Sequence, residues 1–134
     1  MFEHVNWIAV IGAAIAGFAI NAIWYGPLFG ARWARLIGVD PNAPGGPPLA
    51  PILAVNMVMN LVGATALAVL VTAFPQDAAT AAFVGALVWV ASGLVLKLND
   101  LTFARRPVGL FYIDSIGHLV TLVVMAVIVS TFRI

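Results

Sequence analysis

The sequence predicts an all-α fold: an integral-membrane four-helix bundle with a short interfacial amphipathic helix after the first span. Three observations predict it. Of 134 residues, 63% are hydrophobic and only 8% charged, with a mean hydropathy of +1.11. Soluble domains run at roughly 45–50% apolar and about a quarter charged, so a soluble chain this short lacks the interior to hide its apolar side chains. Four stretches approach the roughly 20 apolar residues that a helix needs to cross hydrocarbon. Between them lie the proline, glycine and charged residues that stop helices.

The first span is read over Val5–Tyr25. MFEH before it carries an acid and a histidine where a signal peptide has basic residues, and no small-residue cleavage site follows, so this helix is expected to be retained. Next, Leu28–Ile37 sets Leu28, Phe29, Trp33, Leu36 and Ile37 against Arg32 and Arg35. That spacing suits a short helix lying in the interface with its arginines toward lipid phosphates. DPNAPGGPP, Asp40–Pro48, is too dense in proline and glycine to be regular. The second span, Pro51–Phe74, and the third, Ala78–Lys97, are separated only by Pro75, Gln76 and Asp77. So tight a turn predicts an antiparallel hairpin. A polar, basic connection, Leu98–Gly109, leads to the fourth span, Leu110–Phe132. No internal repeat is found, and residues 1–134 are read as one domain.

Charge gives an orientation. With four spans, the first and third connections share a side, and that side carries Arg32, Arg35, Lys97, Arg105 and Arg106. Only Arg133 and the terminal amine balance them on the other. Positive residues stay inside, so both long connections are expected in the cytoplasm of a bacterial inner membrane and both termini outside.

Depth is the informative property of the polar residues. Asn21 lies about 6 Å from the end of its span at about 1.5 Å per residue. Asn56 and Asn60 form an i, i+4 pair in the cytoplasmic half of the second span, Ser92 and Lys97 end the third, and Asp114 and His118 share a face of the fourth. Polar groups are costly in hydrocarbon, so all seven are expected to face one another in a polar layer. Asp114 is the candidate charge site and His118, about 12 Å in from Leu110, its proton partner. Trp7, Trp24, Tyr25, Trp33, Arg32 and Arg35 are read as interface anchors. Trp89 sits in mid-span, where its indole N–H needs a partner. Gly12, Ala13, Ala16 and Gly17 on the first span, with Gly85 and Gly93 on the third, allow close helix contact.

Several function classes fall away. A chain without cysteine has neither a disulfide framework nor a thiol nucleophile. A net charge of +1 with no basic stripe sets nucleic acid aside. No metal or cofactor is expected, because a metal needs three or four matching ligands and His4 lies at the opposite side of the membrane. Ser115 adjoins Asp114 on the helix and points elsewhere, so no catalytic triad is implied.

WYGPLFGARWARLIG after the first span and RRPVGLFYIDSIGHLV opening the last resemble the domain of unknown function 1761 family of small bacterial membrane proteins. The specific positions are Trp24-Tyr25, Pro27, Phe29-Gly30, Trp33, and Asp114 with His118. The resemblance covers nearly the whole chain and implies a four-span inner-membrane protein without an established activity. Similar proteins often carry a more charged helix where this chain has its Pro-rich stretch after Val39.

The resulting expectation is a binding or transport protein with a cytoplasm-facing polar chamber for a proton, a cation or a small polar molecule. Four short helices leave little lumen, so a crossing pathway would require a homo-oligomer. The alternative is a structural or accessory subunit of a larger membrane complex, with the polar layer serving helix packing only. Membrane lipid is the expected neighbour in either case.

Overall fold

Helix boundaries in the computed structural model, which describes residues 2–40, 44–46 and 48–132, follow the breakers in the sequence. Helix α1, Trp7–Ile23, starts behind Asn6, whose side-chain oxygen accepts from the backbone N–H groups of Ile8 and Ala9. That satisfies two donors a helix start leaves open. A π-helical turn, Trp24–Leu28, continues α1. Its cause is local. The residue before a proline is disfavoured in the helical region, and Gly26, before Pro27, leaves it at φ −107°, ψ −105°. The ladder closes again one residue wider, with the Phe29 N–H donating to the Trp24 carbonyl at 2.9 Å.

The short helix α2, Gly30–Ile37, ends at Gly38 with φ +76°, a conformation that glycine adopts without steric cost. Gly30 is required as well, since a Cβ there would sit 2.4 Å from the Tyr25 carbonyl oxygen. Residues 41–43 and 47 of the Pro- and Gly-rich connection lie outside the described residues, as does Arg133. Helix α3, Leu49–Val71, begins after Pro48. Helix α4, Ala78–Val88, is capped by Asp77, passes through a second π-helical turn, Trp89–Leu94, and becomes α5, Val95–Thr102. Helix α6, Val108–Thr131, follows Pro107.

Four stretches are long and apolar enough to cross a membrane: Trp7–Leu28, Leu49–Val71, Ala78–Thr102 and Val108–Thr131. They coincide with the expected spans, the third running on past Lys97.

Their arrangement corrects the expected hairpin. Helices α3 and α4 share a turn but scarcely pack together; α4 packs on α6, and α3 on α1 and α6. Half of the apolar window of α6 is buried, against 22–28% for the other three spans, so the last span is the centre of the bundle. Small residues decide this. A Cβ on Gly85 would lie 2.9 Å from the Leu122 carbonyl oxygen, so α4 rests directly on the α6 backbone. Gly17 of α1 likewise meets Asn60 of α3 and Met125 of α6. Gly12, expected on the same narrow face, is exposed with open space around it.

The Asn6 amide donates to the Phe132 carbonyl, and Gln76 Nε2 to the Thr131 carbonyl at 3.2 Å. Both chain ends and the α3–α4 turn therefore share one side. Helix α2 and the α5–α6 turn occupy the other, where Leu36 lies against Gly109. This second side carries Arg32, Arg35, Lys97, Arg105 and Arg106 and is called the basic side below. The buried apolar core, including Val10, Ala13, Ala64, Leu67, Val84, Leu122, Met125 and Val129, fills the half of the bundle next to the chain ends.

Candidate functional site

In the basic half, α6 is held by bonds to its opening turns. The Trp24 indole N–H donates to the Ile113 carbonyl at 2.8 Å, and the ring lies over Gly117, where a Cβ would come within 2.6 Å of Nε1. From the opposite side, the Trp89 indole N–H donates to the Ser115 carbonyl at 2.8 Å, giving this mid-span indole the partner it needs. Each tryptophan is the first residue of a π-helical turn. Such turns are rare and often occur at functional sites.

Asp114 lies between these two clamps. Its Oδ1 accepts from the Tyr25 hydroxyl at 2.6 Å, and its Oδ2 is 3.7 Å from Lys97 Nζ. Lys97 is also 3.7 Å from Oδ2 of Asp100, three residues on. The Asp114 side chain is 14% exposed, Lys97 33% and Asp100 53%, so the three charges run from the bundle out to the basic side. A cleft of about 10 Å³ opens beside Asp114, lined by Lys97, Asp100, Leu101, Arg106, Leu110 and Phe111. That is room for roughly one water molecule.

Asp114, His118, Thr121 and Met125 follow one another at i, i+4, i+7 and i+11 and so share a face of α6. The face is interior: on either side of it Ile113, Gly117, Ser115 and Leu122 are buried. Thr121 and Met125 are buried too, but His118 is exposed. Along this stripe the side chains are thus exposed at His118 and buried at Thr121 and Met125. One edge of the imidazole lies against Gly93, where any Cβ would clash with the ring. Opposite, α3 gives no cover, for residues 49–55 are exposed and its first buried residue is Asn60.

The remaining residues of the expected polar layer do not form one network. Asn21 accepts from the Thr121 hydroxyl at 3.3 Å, linking α1 to α6. Asn60 Nδ2 donates at 2.9 Å to both the backbone and side-chain oxygens of Asn56 and packs on Gly17. Ser92 is exposed and donates to its own helix, at the Val88 carbonyl, so it lies outside the cluster. The Ser115 hydroxyl is buried without a hydrogen-bond partner among the described residues.

Three anchors need correction. Trp24, Tyr25 and Trp33 are half-buried in contacts within the protein, Trp33 standing edge-on to Tyr25 with ring centroids 5.6 Å apart. Trp7, Arg32 and Arg35 are exposed. Tyr25 is the site residue that sequence reasoning missed. The signal was present, because Tyr25 and Asp114 lie at similar depths from the same membrane side. Among the described residues, no group of three or more His, Asp or Glu side chains is placed to hold a metal.

Three spans around a central fourth, with a carboxylate–phenol–ammonium cluster in one half, define a multi-pass helical membrane protein. The chain belongs to the family of proteins of unknown function DUF1761, whose model matches residues 8–130. No curated protein and no solved structure matches the chain.

Proposed function

We propose that this protein binds or transports a proton, a cation or a small polar molecule through a polar chamber opening to the basic side, with Asp114 as the charge site and His118 beside it. The supporting observation is the interior stripe of α6, exposed at His118 yet closed at Thr121 and Met125. A charged carboxylate within a span is expensive, and such residues commonly mark ion and proton pathways. Asn21 and Asn56 line the chamber at the depth where it closes. The location that goes with this reading is a bacterial cytoplasmic membrane, with the basic side in the cytoplasm by the positive-inside rule. A single copy offers no lumen through the packed half, so a complete pathway uses a homo-oligomer.

The test separates activity from folding. In liposomes containing a trapped pH dye, the wild type relaxes an imposed proton gradient and Asp114→Asn does not, while both unfold at similar temperatures in detergent. A gross loss of folded protein in Asp114→Asn alone would instead favour a packing role. One observation supports a second reading, that of an accessory subunit. Asn21 accepts from the Thr121 hydroxyl across α1 and α6, as interhelical glue does. Co-elution with a single larger complex after mild solubilisation would favour that reading.

A further inference from the structure

Building on Asp114 as the charge site, we infer that its cargo is the proton and that Lys97 is a positioning residue that moves between two carboxylates, Asp114 inside and Asp100 outside, as Asp114 gains and loses that proton. The geometry is a bridge. Lys97 Nζ stands 3.7 Å from one carboxylate oxygen of each aspartate, at distances that leave both contacts loose. An ammonium with a single partner inside a membrane protein would be stranded when that partner became neutral, and an uncompensated charge there is costly. Here the second acceptor is already in place, one helical turn away and more exposed.

The steps balance. A hydronium ion in the cleft gives a proton to Asp114 Oδ2, so one O–H bond forms on the carboxyl, one breaks on the donor, and water remains. Lys97 keeps its three protons and shifts onto Asp100. On release the proton returns to water, and Lys97 shifts back.

Other groups around Asp114 support a proton over a metal ion. From α1 comes the Tyr25 hydroxyl, from α5 Lys97 and Asp100, from the following turn Arg106, and from α6 itself His118. Arg32 and Arg35 of α2 are exposed, and α3 carries no titratable residue. Hard cations take about six or more oxygen ligands. Two carboxylates, a phenol already committed and two competing cations do not supply them, and the cleft holds about one water.

Infrared spectroscopy of the protein in nanodiscs, titrated with acid, reads the protonated carboxyl band of Asp114. The band is assigned by its loss in Asp114→Asn, or by its displacement in Asp114→Glu should the asparagine variant not fold. In Asp100→Asn, Lys97 has only Asp114 to hold, and the midpoint moves to lower pH by about one unit; Asp100→Glu restores it. In Lys97→Gln the midpoint moves to higher pH, and adding Asp100→Asn changes it little. An unmoved midpoint in Asp100→Asn overturns the exchange. So does an equal shift with and without Lys97, which would mean that Asp100 acts on Asp114 directly. A midpoint that depends on sodium in place of choline overturns the choice of the proton. Absence of proton flux in wild-type liposomes, with the coupling intact, would sink the transport reading and leave the exchange standing.

Discussion

Removing the Tyr25 hydroxyl leaves Asp114 with Lys97 alone, because that hydroxyl is its 2.6 Å donor. A hydrogen bond to a charged group contributes roughly 1.5–3 kcal/mol. With Asp114 only 14% exposed, Tyr25→Phe is expected to lose about 1–2 kcal/mol of stability in detergent unfolding. A variant as stable as the wild type would show that the phenol is incidental. Asp114 and His118 could be read from the sequence because polar residues inside an apolar run announce themselves. Tyr25 could not be separated from the belt aromatics, since a tyrosine at a span end suits lipid headgroups and a buried carboxylate equally. Ser92 was misplaced for a related reason. Sequence gives its depth, but a serine that bonds the carbonyl four residues back needs no partner across the bundle.

At the scale of elements, the two π-helical turns place the tryptophans that grip α6. The first was legible in part, since Gly26-Pro27 marks a helix break; nothing in WVASGL announces the second. Packing order was not legible either. The short link between the second and third spans suggested a paired hairpin, yet the absent side chain of Gly85 lets α4 dock on the α6 backbone instead. Gly85→Ala would push a Cβ toward the Leu122 carbonyl oxygen, and overpacking of this kind costs about 1–3 kcal/mol. The loss should appear as earlier unfolding in a detergent titration; no change would mean that the two helices are free to separate. The start of α4 carries a pH dependence. Hydrogen bonds from the Thr80 side chain and backbone hold the exposed Asp77 carboxyl below the usual carboxylate range. A lowered folded-state value means that the cap contributes fully above the unfolded-state value and is lost as pH falls through the folded one. Hydrogen-exchange protection at the Thr80 amide should therefore drop only below about pH 4 and lose that dependence in Asp77→Asn.

At the scale of the whole molecule, the two halves of the bundle contrast. The half near the chain ends is a packed apolar core, while the basic half holds the charges and an α3 whose opening turns stand clear. This division was visible in the sequence as polar residues gathered at one depth. What was not visible is that they form separate contacts instead of one network. If the basic side is cytoplasmic, reporter fusions at either end will be active only outside the cytoplasm; activity inside would reverse the orientation.

The most direct measurement uses the absence of cysteine from the chain. Single cysteines at His118, Asn56, Met125 and Val129 are exposed to a charged, membrane-impermeant thiol reagent added from the basic side. The account predicts labelling at His118→Cys and Asn56→Cys, with Met125→Cys and Val129→Cys silent. A cysteine at 118 that ignores the charged reagent and reacts only with a lipid-soluble one would show that the stripe faces hydrocarbon, and the chamber would be contradicted.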